Sequence, residues 1–313
     1  MDLKNIFKFL FKGKKPIFQS AYIIINPAAG KQQIKWFLKS AKSFLNRLNI
    51  RYDYALTRAP RHATKLAQEA VKKKYDIIFA AGGDGTINEV INGIVDYGGI
   101  LGIIPLGTVN ILAMEMGIPL NPVRSLNILL EGQIETIDLG KSNNQYFVLM
   151  SACGIDSYTI YRVNLKLKKY IGPFAYIFAG LYSLFKYKPK KIIIDIDNHR
   201  IDEIGYYVVV ENISAYGGKL KMTPYAQYND GLLDVCIFKR YGLWDVFRYF
   251  IGIALAKHIE YPDVIYYQCK QIKMHSQENV LLHTDGELVG SLPVSISAVK
   301  KKLKILVPRP LNK

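Results

Sequence analysis

The chain has 313 residues, enough for two domains, and its 42 basic and 25 acidic residues give a formal net charge of +17. Such an excess points to a polyanionic partner or to a general charge bias. Because no nucleic-acid-binding signature is present, we expect an anionic membrane or a nucleotide, and no nucleic acid. The apolar runs are far shorter than the roughly 20 residues that span a bilayer, and 3 widely spaced cysteines indicate a reducing cytoplasm.

Residues 1–18 form a basic extension. Apolar side chains recur at helical spacing across residues 3–12, with Lys4, Lys8 and Lys12 on the opposite side. The pattern predicts a short amphipathic helix, which is typical either of an interfacial membrane anchor or of a helix packed on the protein's own body. Both interpretations stay open.

Residues 19–137 alternate between strand and helix patterns. Strands are predicted at 22–25, 52–56, 76–81 and 100–106, and helices at 33–48, 62–73, 87–95, 111–116 and 123–131. This order predicts a parallel sheet covered on both faces, in a Rossmann-like three-layer α/β domain.

After Gly132 the pattern changes to short strands separated by turn signals, and residues 138–302 are predicted to form the second domain. Strands are predicted at 134–141, 145–152, 191–197, 204–211, 232–238, 271–275, 279–284, 294–299 and 303–307, and helices at 158–186 and 243–257. We therefore predict an α/β plus mainly β chain, whose second domain is an antiparallel β-sandwich.

Glycine-bearing turns follow three of the predicted parallel strands. They comprise residues 26–30, 82–88 and 105–110, and Thr57 follows the second strand. Ligands in open α/β sheets bind outside the carboxyl ends of the strands, so these turns should line one crevice. Turns without side chains let backbone N–H groups and a helix N-terminus reach a phosphate. The pattern predicts a nucleotide site that lacks both the Walker lysine and the dinucleotide fingerprint.

Three sequence blocks carry a more specific signal: N-P-x-x-G at 26–30, G-G-D-G-T-x-N-E at 82–89 and P-x-G-T-x-N at 105–110. In this order and spacing they resemble the diacylglycerol kinase catalytic domain family, which includes bacterial soluble lipid kinases and is related to sphingosine kinases and NAD kinases. The blocks N-D-G-L at 229–232 and T-D-G-E at 284–287 favour a lipid kinase over an NAD kinase.

The resemblance implies an ATP- and Mg²⁺-dependent kinase that phosphorylates a lipid hydroxyl, with diacylglycerol as the expected acceptor and phosphatidic acid as the product. It implies that ATP and magnesium lie between two domains, and that residues 303–313 return to the first domain. The implied nucleotide-binding positions are Asn26, Pro27, Ala28, Ala29, Gly30, Thr57, Gly82, Gly83, Asp84, Gly85, Thr86, Ile87, Asn88 and Thr108.

Three carboxylates acquire candidate roles from the resemblance. Asp84 is the candidate for holding Mg²⁺ near the triphosphate, through water. Asp285 and Glu287 are the candidates for the catalytic base that takes the proton from the lipid hydroxyl, and the sequence does not divide the roles between them. An isolated D-G-E would otherwise predict a hairpin turn.

The N-D-G-L block implies a second, structural Mg²⁺. Its ligands would be the Asp230 carboxylate and the backbone carbonyls of Gln227 and Leu232, since a hard cation accepts such mixed oxygen ligands. A plain Asp-Gly turn is the alternative interpretation.

One position departs from the family pattern. Many relatives have an acidic residue after the P-x-G-T-x-N block, whereas Asn110 is followed by Ile111. If that carboxylate belongs to the metal network, the chain lacks one member. The alternatives are therefore a kinase of another acceptor (phosphatidylglycerol, a sphingoid base or NAD) and a weakly active nucleotide- or lipid-binding relative.

Residues 158–191 mix apolar side chains with many lysines. This combination is typical of a segment that extracts lipid from an anionic membrane, or of a core helix with a solvated basic face. We expect a cytoplasmic enzyme associated peripherally with the inner face of the cell membrane. The sequence leaves the oligomeric state open, a homodimer included.

Overall fold

The computed structural model of the protein describes residues 16–29, 31–162, 183, 186–197, 199–214 and 220–309. The chain forms two compact units, one made of Met1–Glu135 and Leu303–Lys313 and the other of Thr136–Lys302. A parallel sheet organises the first unit and antiparallel sheets organise the second, so the predicted fold class is confirmed.

The sheet of the first unit has the order β2-β1-β3-β4-β16. Its strands are β1 (Ser20–Ile25), β2 (Arg51–Leu56), β3 (Ile77–Gly82), β4 (Ile100–Pro105) and the end of β16 (Val294–Pro308). All neighbours in this sheet are parallel. Every residue of β1 and β3 is buried, because the sheet is covered on both faces.

The helices of the first unit pack apolar side chains that recur every three or four residues. They are α1 (Lys31–Arg47), α2 (His62–Lys72), α3 (Asp84–Ile94), α4 (Ile111–Glu115), α5 (Pro122–Leu126) and α6 (Ile128–Glu131). In α1, for example, Ile34, Phe37, Ala41 and Leu45 are buried while the lysines between them face solvent.

The second unit contains two sheets whose inner faces share one core. The first has the order β12-β11-β10-β7-β14-β15 and the second contains the start of β16 with β13, β8 and β9. The bounds are β5 (Gly132–Ser142), β6 (Gln145–Phe147), β7 (Met150–Cys153), β8 (Ile192–Ile196), β9 (His199–Gly205), β10 (Tyr207–Glu211), β11 (Leu233–Phe238), β12 (Val264–Cys269), β13 (Gln271–His275), β14 (Leu281–Thr284) and β15 (Glu287–Ser291). Val208 and Val235 from one sheet pack in the same core as Ile272 and Ile296 from the other, which makes the unit a sandwich.

Helices of the second unit are α7 (Ile155–Arg162) and α8 (Leu243–Ala254). α8 corresponds to the helix predicted at 243–257 but ends at Ala254. The helix cannot continue through Ala256, which has φ 54°. Among the described residues, no helix is both long and apolar enough to cross a bilayer.

Several strands differ from the predicted pattern. The segments 294–299 and 303–307 belong to one strand, β16, interrupted locally by Lys301 at φ 48°. The run predicted at 204–211 covers β10 and only the end of β9. β12 and β15 were not predicted. The signal for β12 was present in its run of Val, Ile and Tyr, whereas β15 is a largely exposed edge strand with little pattern.

Some predictions lie outside the described residues. These are the amphipathic helix at 3–12, Gly30, the greater part of the basic apolar segment at 158–191, and residues 310–313.

Candidate functional site

The predicted nucleotide positions of the first unit converge on one edge of its sheet. In the parallel register Ile25 lies beside Ala81, and Gly82 lies beside Pro105, so the segments that follow β1, β3 and β4 start at the same level. Backbone bonds join them: Asn26 N–H donates to Ala81 O at 2.9 Å and Leu106 N–H to Gly82 O at 3.0 Å. Residues 26–29, 57, 82–88 and 108 therefore lie together at one edge of the sheet, where the predicted crevice would be.

The two glycine turns at this edge touch backbone to backbone. A Cβ on Gly107 would lie 2.5 Å from the Cα of Gly83, and a Cβ on Gly83 would lie 3.3 Å from the Cα of Gly107. A Cβ on Gly82 would similarly meet the Thr86 side chain at 2.6 Å. The turns are close because they carry no side chains at these two positions. The Gly107 N–H donates to Asn110 Oδ1 at 2.9 Å, whereas the first N–H groups of α3, as at any helix N-terminus, have no carbonyl partner within the helix.

Asp84, at the start of α3, uses its carboxylate on backbone donors. Its two oxygens accept the N–H groups of Ile111 at 3.1 Å and Leu112 at 3.2 Å, which begin α4. The carboxylate thus ties the G-G-D-G turn to the helix after the P-x-G-T-x-N turn. This bond uses the backbone of Ile111 and does not depend on the side chain at that position.

The remaining polar residues of the blocks hold the turns in shape. The Asn26 side chain donates to Thr86 Oγ1 at 3.0 Å and accepts from Ala28 N–H at 2.9 Å. Thr86 and Asn88 are buried, so they act beneath the turn. Thr57 and the exposed Thr108 lie at the rim of the crevice.

Glu89 has a role that the sequence analysis did not assign. Its carboxylate accepts the N–H groups of Arg61 at 2.9 Å and Ala63 at 3.0 Å, and so caps α2. Its position at the end of the G-G-D-G-T-x-N-E block, one helical turn after the last glycine, could have indicated a role.

An open groove of about 640 Å³ adjoins the crevice at the end of β2. Its lining includes Pro27, Tyr54, Leu56, Thr57, Arg58 and His62. Its size is within the range of pockets that hold small ligands.

In the second unit, Asp285 and Gly286 form the tight turn between β14 and β15. Both residues have positive φ, 46° and 79°, as a two-residue hairpin of this kind requires. The Asp285 carboxylate accepts three backbone N–H groups, from Val148, Leu149 and Met150, each at 2.9 Å. Asp285 therefore anchors the hairpin to the segment between β6 and β7.

Glu287 differs from Asp285 in its surroundings. It is the first residue of β15, it is exposed, and in the hairpin register it lies opposite the buried Thr284. The two candidate bases are thus separated by their environment: three N–H donors surround one carboxylate, while the other is presented at the surface beside the turn.

Asn212 also binds this segment and was missed by sequence reasoning. Its buried side-chain amide donates to Asp138 O and Val148 O, both at 3.0 Å, and its backbone N–H donates to Leu149 O at 2.9 Å. No local pattern signals this role, because the partners lie more than 60 residues away.

Glu211, next to Asn212, is fully buried at the end of β10, opposite Met150. Burial raises the pKa of its carboxyl to about 8, and hydrogen bonds from the Thr223 backbone N–H and hydroxyl only partly oppose this. Near neutral pH it therefore carries a proton.

A buried histidine lies directly before the T-D-G-E block. Nε2 of His283 is 3.0 Å from Oδ2 of Asp156, which also accepts from the Tyr207 hydroxyl at 3.3 Å. Asp156 ends the glycine turn after β7, and that turn was the available signal. The bonds join β14 to the start of α7.

The N-D-G-L segment is a turn organised by two aspartates. Asp230 accepts from Leu232 N–H at 2.9 Å, and the buried Asp138 accepts from the N–H groups of Gly231 and Lys301, both at 2.6 Å. Sequence reasoning missed Asp138. In the parts of the chain that the structure describes, no three His, Cys, Asp or Glu side chains cluster as metal ligands. The predicted structural Mg²⁺ site has one carboxylate and two backbone carbonyls, which such a cluster would not include, so this site stays a prediction.

Comparison with known proteins follows the division of the chain. Residues 20–142 match the family model of the diacylglycerol kinase catalytic domain, and residues 150–307 match that of the YegS C-terminal NAD kinase beta sandwich-like domain. Two similar relatives are named diacylglycerol kinase. The one from Staphylococcus haemolyticus (strain JCSC1435) is 32% identical over 92% of this chain and 88% of its own. The one from Staphylococcus aureus (strain bovine RF122 / ET3-1) is 32% identical over 92% of each chain.

Solved structures agree with these matches. A crystal structure from Bacillus anthracis str. Sterne, assigned to a diacylglycerol kinase, superposes with a TM-score of 0.80 at 25% identity, over 96% of this chain and 98% of that one. A second structure from the same strain gives a TM-score of 0.72 at 22% identity, over 95% and 99%.

Proposed function

This chain belongs to the diacylglycerol kinase family and is a lipid kinase that uses ATP as phosphoryl donor, and we propose that its acceptor is diacylglycerol and its product phosphatidic acid. The staphylococcal relatives named for that activity support the choice of acceptor. The T-D-G-E hairpin, which separates an anchored aspartate from an exposed glutamate, is the observation on which the mechanism depends.

The crevice of the first unit is proposed to bind the triphosphate. Because Gly83 and Gly107 carry no side chains, phosphate oxygens can approach the backbone of these turns. The N-terminus of α3 adds partial positive charge. Thr57 and Thr108 at the rim are positioned to donate hydroxyl hydrogen bonds. The groove beside Pro27 and Thr57 is proposed to accept the nucleoside part of ATP.

Magnesium dependence is part of the proposal, since a bound Mg²⁺ would neutralise the charge that builds up on the phosphates. Asp84 fits an outer-sphere role. Its two oxygens each accept one N–H, and a carboxylate has about four lone-pair sites, so it can also accept from a water of the ion's hydration shell. Asp230 with the carbonyls of Gln227 and Leu232 is proposed as the second, structural cation site.

Glu287 is proposed as the catalytic base. It accepts the proton of the acceptor hydroxyl while that oxygen forms a bond to the γ-phosphorus of ATP, and the bond between the γ-phosphorus and the β,γ-bridging oxygen breaks to release ADP. Asp285 is proposed as the positioning residue, because its carboxylate already holds three backbone N–H groups and fixes the turn that presents Glu287.

The lipid acceptor resides in a bilayer, so the enzyme is proposed to work as a peripheral protein at the cytoplasmic face of the cell membrane. The net charge of +17 supports binding to an anionic surface. Neither role for residues 1–18, anchor or packed helix, is needed for the chemistry above.

A radiolabelled-ATP assay tests the proposal. The acceptors are diacylglycerol, monoacylglycerol, phosphatidylglycerol, sphingosine, a polyprenol and NAD, each offered with and without Mg²⁺, the lipids in mixed micelles. We expect phosphatidic acid as the dominant product and no transfer without the cation. Preferred phosphorylation of another acceptor would refute the choice of diacylglycerol.

A further inference from the structure

Helix α8 presents a large apolar face to solvent. Its outward side chains include Trp244, Phe247 and Phe250, which are 79%, 54% and 60% exposed, and Leu255 just beyond the helix is 63% exposed. Leu243 and Ile251 complete this set. Single exposed apolar residues are ordinary, but six on one helical face form a patch, and such patches mark interaction sites.

The pattern is regular along the helix. Positions 243, 247 and 251 follow one another at four-residue spacing and positions 244, 247 and 250 at three-residue spacing, as one side of an α-helix requires, and Leu255 continues the first row at the helix end. The opposite side is anchored in the unit, because Tyr249 and Gly252 are buried. α8 is therefore apolar on both sides, and only Asp245 and Arg248 are charged within it. A surface helix with this composition indicates a second apolar environment.

Acidic side chains pair with part of the basic charge around the face. Between residues 239 and 263 there are four basic side chains, Lys239, Arg240, Arg248 and Lys257, and three acidic side chains, Asp245, Glu260 and Asp263. Arg248 is paired with Asp263 and lies 3.7 Å from Asp245, and Arg240 lies 3.9 Å from Asp263. Four basic against three acidic side chains leave this stretch with a small net positive charge, and Lys239 and Lys257 flank α8 on its two sides.

We propose that the outer face of α8 inserts into an anionic lipid bilayer at the level of the headgroups. An aromatic and aliphatic face with flanking cations is the pattern of helices that lie in this interface, where the rings contact acyl chains and the cations contact lipid phosphates. A second copy of the chain is a poorer match, because it would bring together like-charged surfaces of a protein with net charge +17. The proposal deepens the membrane association given above, and its test requires no turnover.

The two tryptophans of the chain allow a direct test. Trp244 lies on the face, whereas Trp36 is 54% exposed on α1 of the first unit. The variant Trp36→Phe leaves Trp244 as the fluorophore, and Trp244→Phe leaves Trp36. Each is titrated, without ATP, with vesicles of phosphatidylcholine alone or of phosphatidylcholine and phosphatidylglycerol in equal parts, with and without brominated acyl chains.

We expect the emission of Trp244 to move to shorter wavelength and to be quenched by brominated lipid, with the anionic vesicles only. Emission from Trp36 should not change. The double variant Trp244→Ser/Phe247→Ser should weaken binding to anionic vesicles by roughly tenfold or more, because two rings no longer leave water. Trp36→Ser is the matched control and should bind like the unchanged chain.

Three results would overturn the proposal. Binding of Trp244→Ser/Phe247→Ser that equals the control would show that another surface contacts lipid. Unquenched Trp244 in vesicle-bound protein would do the same. A shift of Trp244 emission with protein concentration in the absence of lipid, together with dimerisation in analytical ultracentrifugation that the double variant abolishes, would assign the face to a second copy. Vesicle binding without phosphorylation of diacylglycerol would instead refute only the proposed acceptor.

Discussion

The glycine-turn edge of the first unit and the T-D-G-E hairpin of the second use an aspartate in the same way. Asp84 joins two turns by accepting two backbone N–H groups, and Asp285 joins a hairpin to a neighbouring segment by accepting three. The difference lies in what each aspartate leaves at the surface. In the first unit it leaves backbone N–H groups, which suit an anionic ligand, and in the second it leaves a carboxylate, Glu287, which suits a proton acceptor.

The acidic residues of these motifs look alike in sequence but differ in role: the aspartates hold the backbone in position, whereas Glu287 is available for chemistry. A carboxylate that accepts several backbone N–H groups makes charge-assisted hydrogen bonds that fix the local geometry. A carboxylate on an exposed strand end is better able to exchange a proton with a substrate. We therefore expect substitution of the aspartates to disturb the local structure, and substitution of Glu287 to slow the reaction while the structure stays intact.

The largest effect is expected for Glu287→Gln. Removal of a catalytic base lowers kcat by about 10²- to 10⁴-fold, while the exposed position of Glu287 predicts little change in the unfolding temperature. Steady-state kinetics and thermal unfolding measure the two quantities. Glu278→Gln, at another exposed position of the second unit, should leave both unchanged.

Asp285→Asn should lower the free energy of unfolding. An amide retains one acceptor oxygen and turns its NH₂ group towards an N–H donor, so at least one charge-assisted bond is lost, at a cost of about 2–3 kcal/mol. Asp197→Asn is the matched control, since Asp197 also has positive φ but accepts the N–H groups of Lys270 and Gln271 on a single oxygen. Equal stability changes in urea denaturation would refute the anchoring role.

Gly107→Ala tests the backbone contact in the first unit. The new methyl group would lie 2.5 Å from the Cα of Gly83 and force the turns apart, and we expect the KM for ATP to rise by about tenfold, or roughly 1.4 kcal/mol. Gly83→Ala meets Gly107 at 3.3 Å and should have a smaller effect. The reverse order of the two variants would contradict the geometry.

A pH-dependent effect is expected for Glu211, a buried carboxyl that accepts one backbone N–H and one hydroxyl, both from Thr223, where Asp285 accepts three N–H groups. Its folded-state pKa is raised to about 8 from an ordinary value of 4.5, so the folded protein binds a proton that the unfolded chain releases between these values. Stability is therefore full below the unfolded pKa and declines as the pH rises towards 8. Glu211→Gln should make the free energy of unfolding, measured by denaturation from pH 5 to pH 8, decline less steeply with pH. An unchanged slope would show that another group causes the decline.

Much of this arrangement could be predicted from sequence because it is local. Alternating patterns predict the parallel strands, and the glycine turns after β1, β3 and β4 predict the crevice. The anchoring bonds could not be predicted, since Asp285 meets Val148 across 137 positions and Asp84 meets Ile111 across 27. For the same reason the sequence could not divide the roles of Asp285 and Glu287, which depend on where backbone donors from distant segments arrive.

The exposed face of α8 shows a different limit. Its amphipathic spacing is visible in the sequence, but the pattern alone predicts an ordinary helix with a buried apolar side. Only burial shows that Tyr249 and Gly252 occupy the inner side while Trp244 faces solvent.

The most direct test of the account compares Asp285→Asn and Glu287→Gln in one experiment. Amide hydrogen exchange at Val148, Leu149 and Met150 is measured beside kcat with diacylglycerol. The account predicts faster exchange at these amides in Asp285→Asn, and native exchange with at least a hundredfold loss of kcat, as estimated for a lost base, in Glu287→Gln. Native exchange in Asp285→Asn together with near-normal turnover in Glu287→Gln would contradict it.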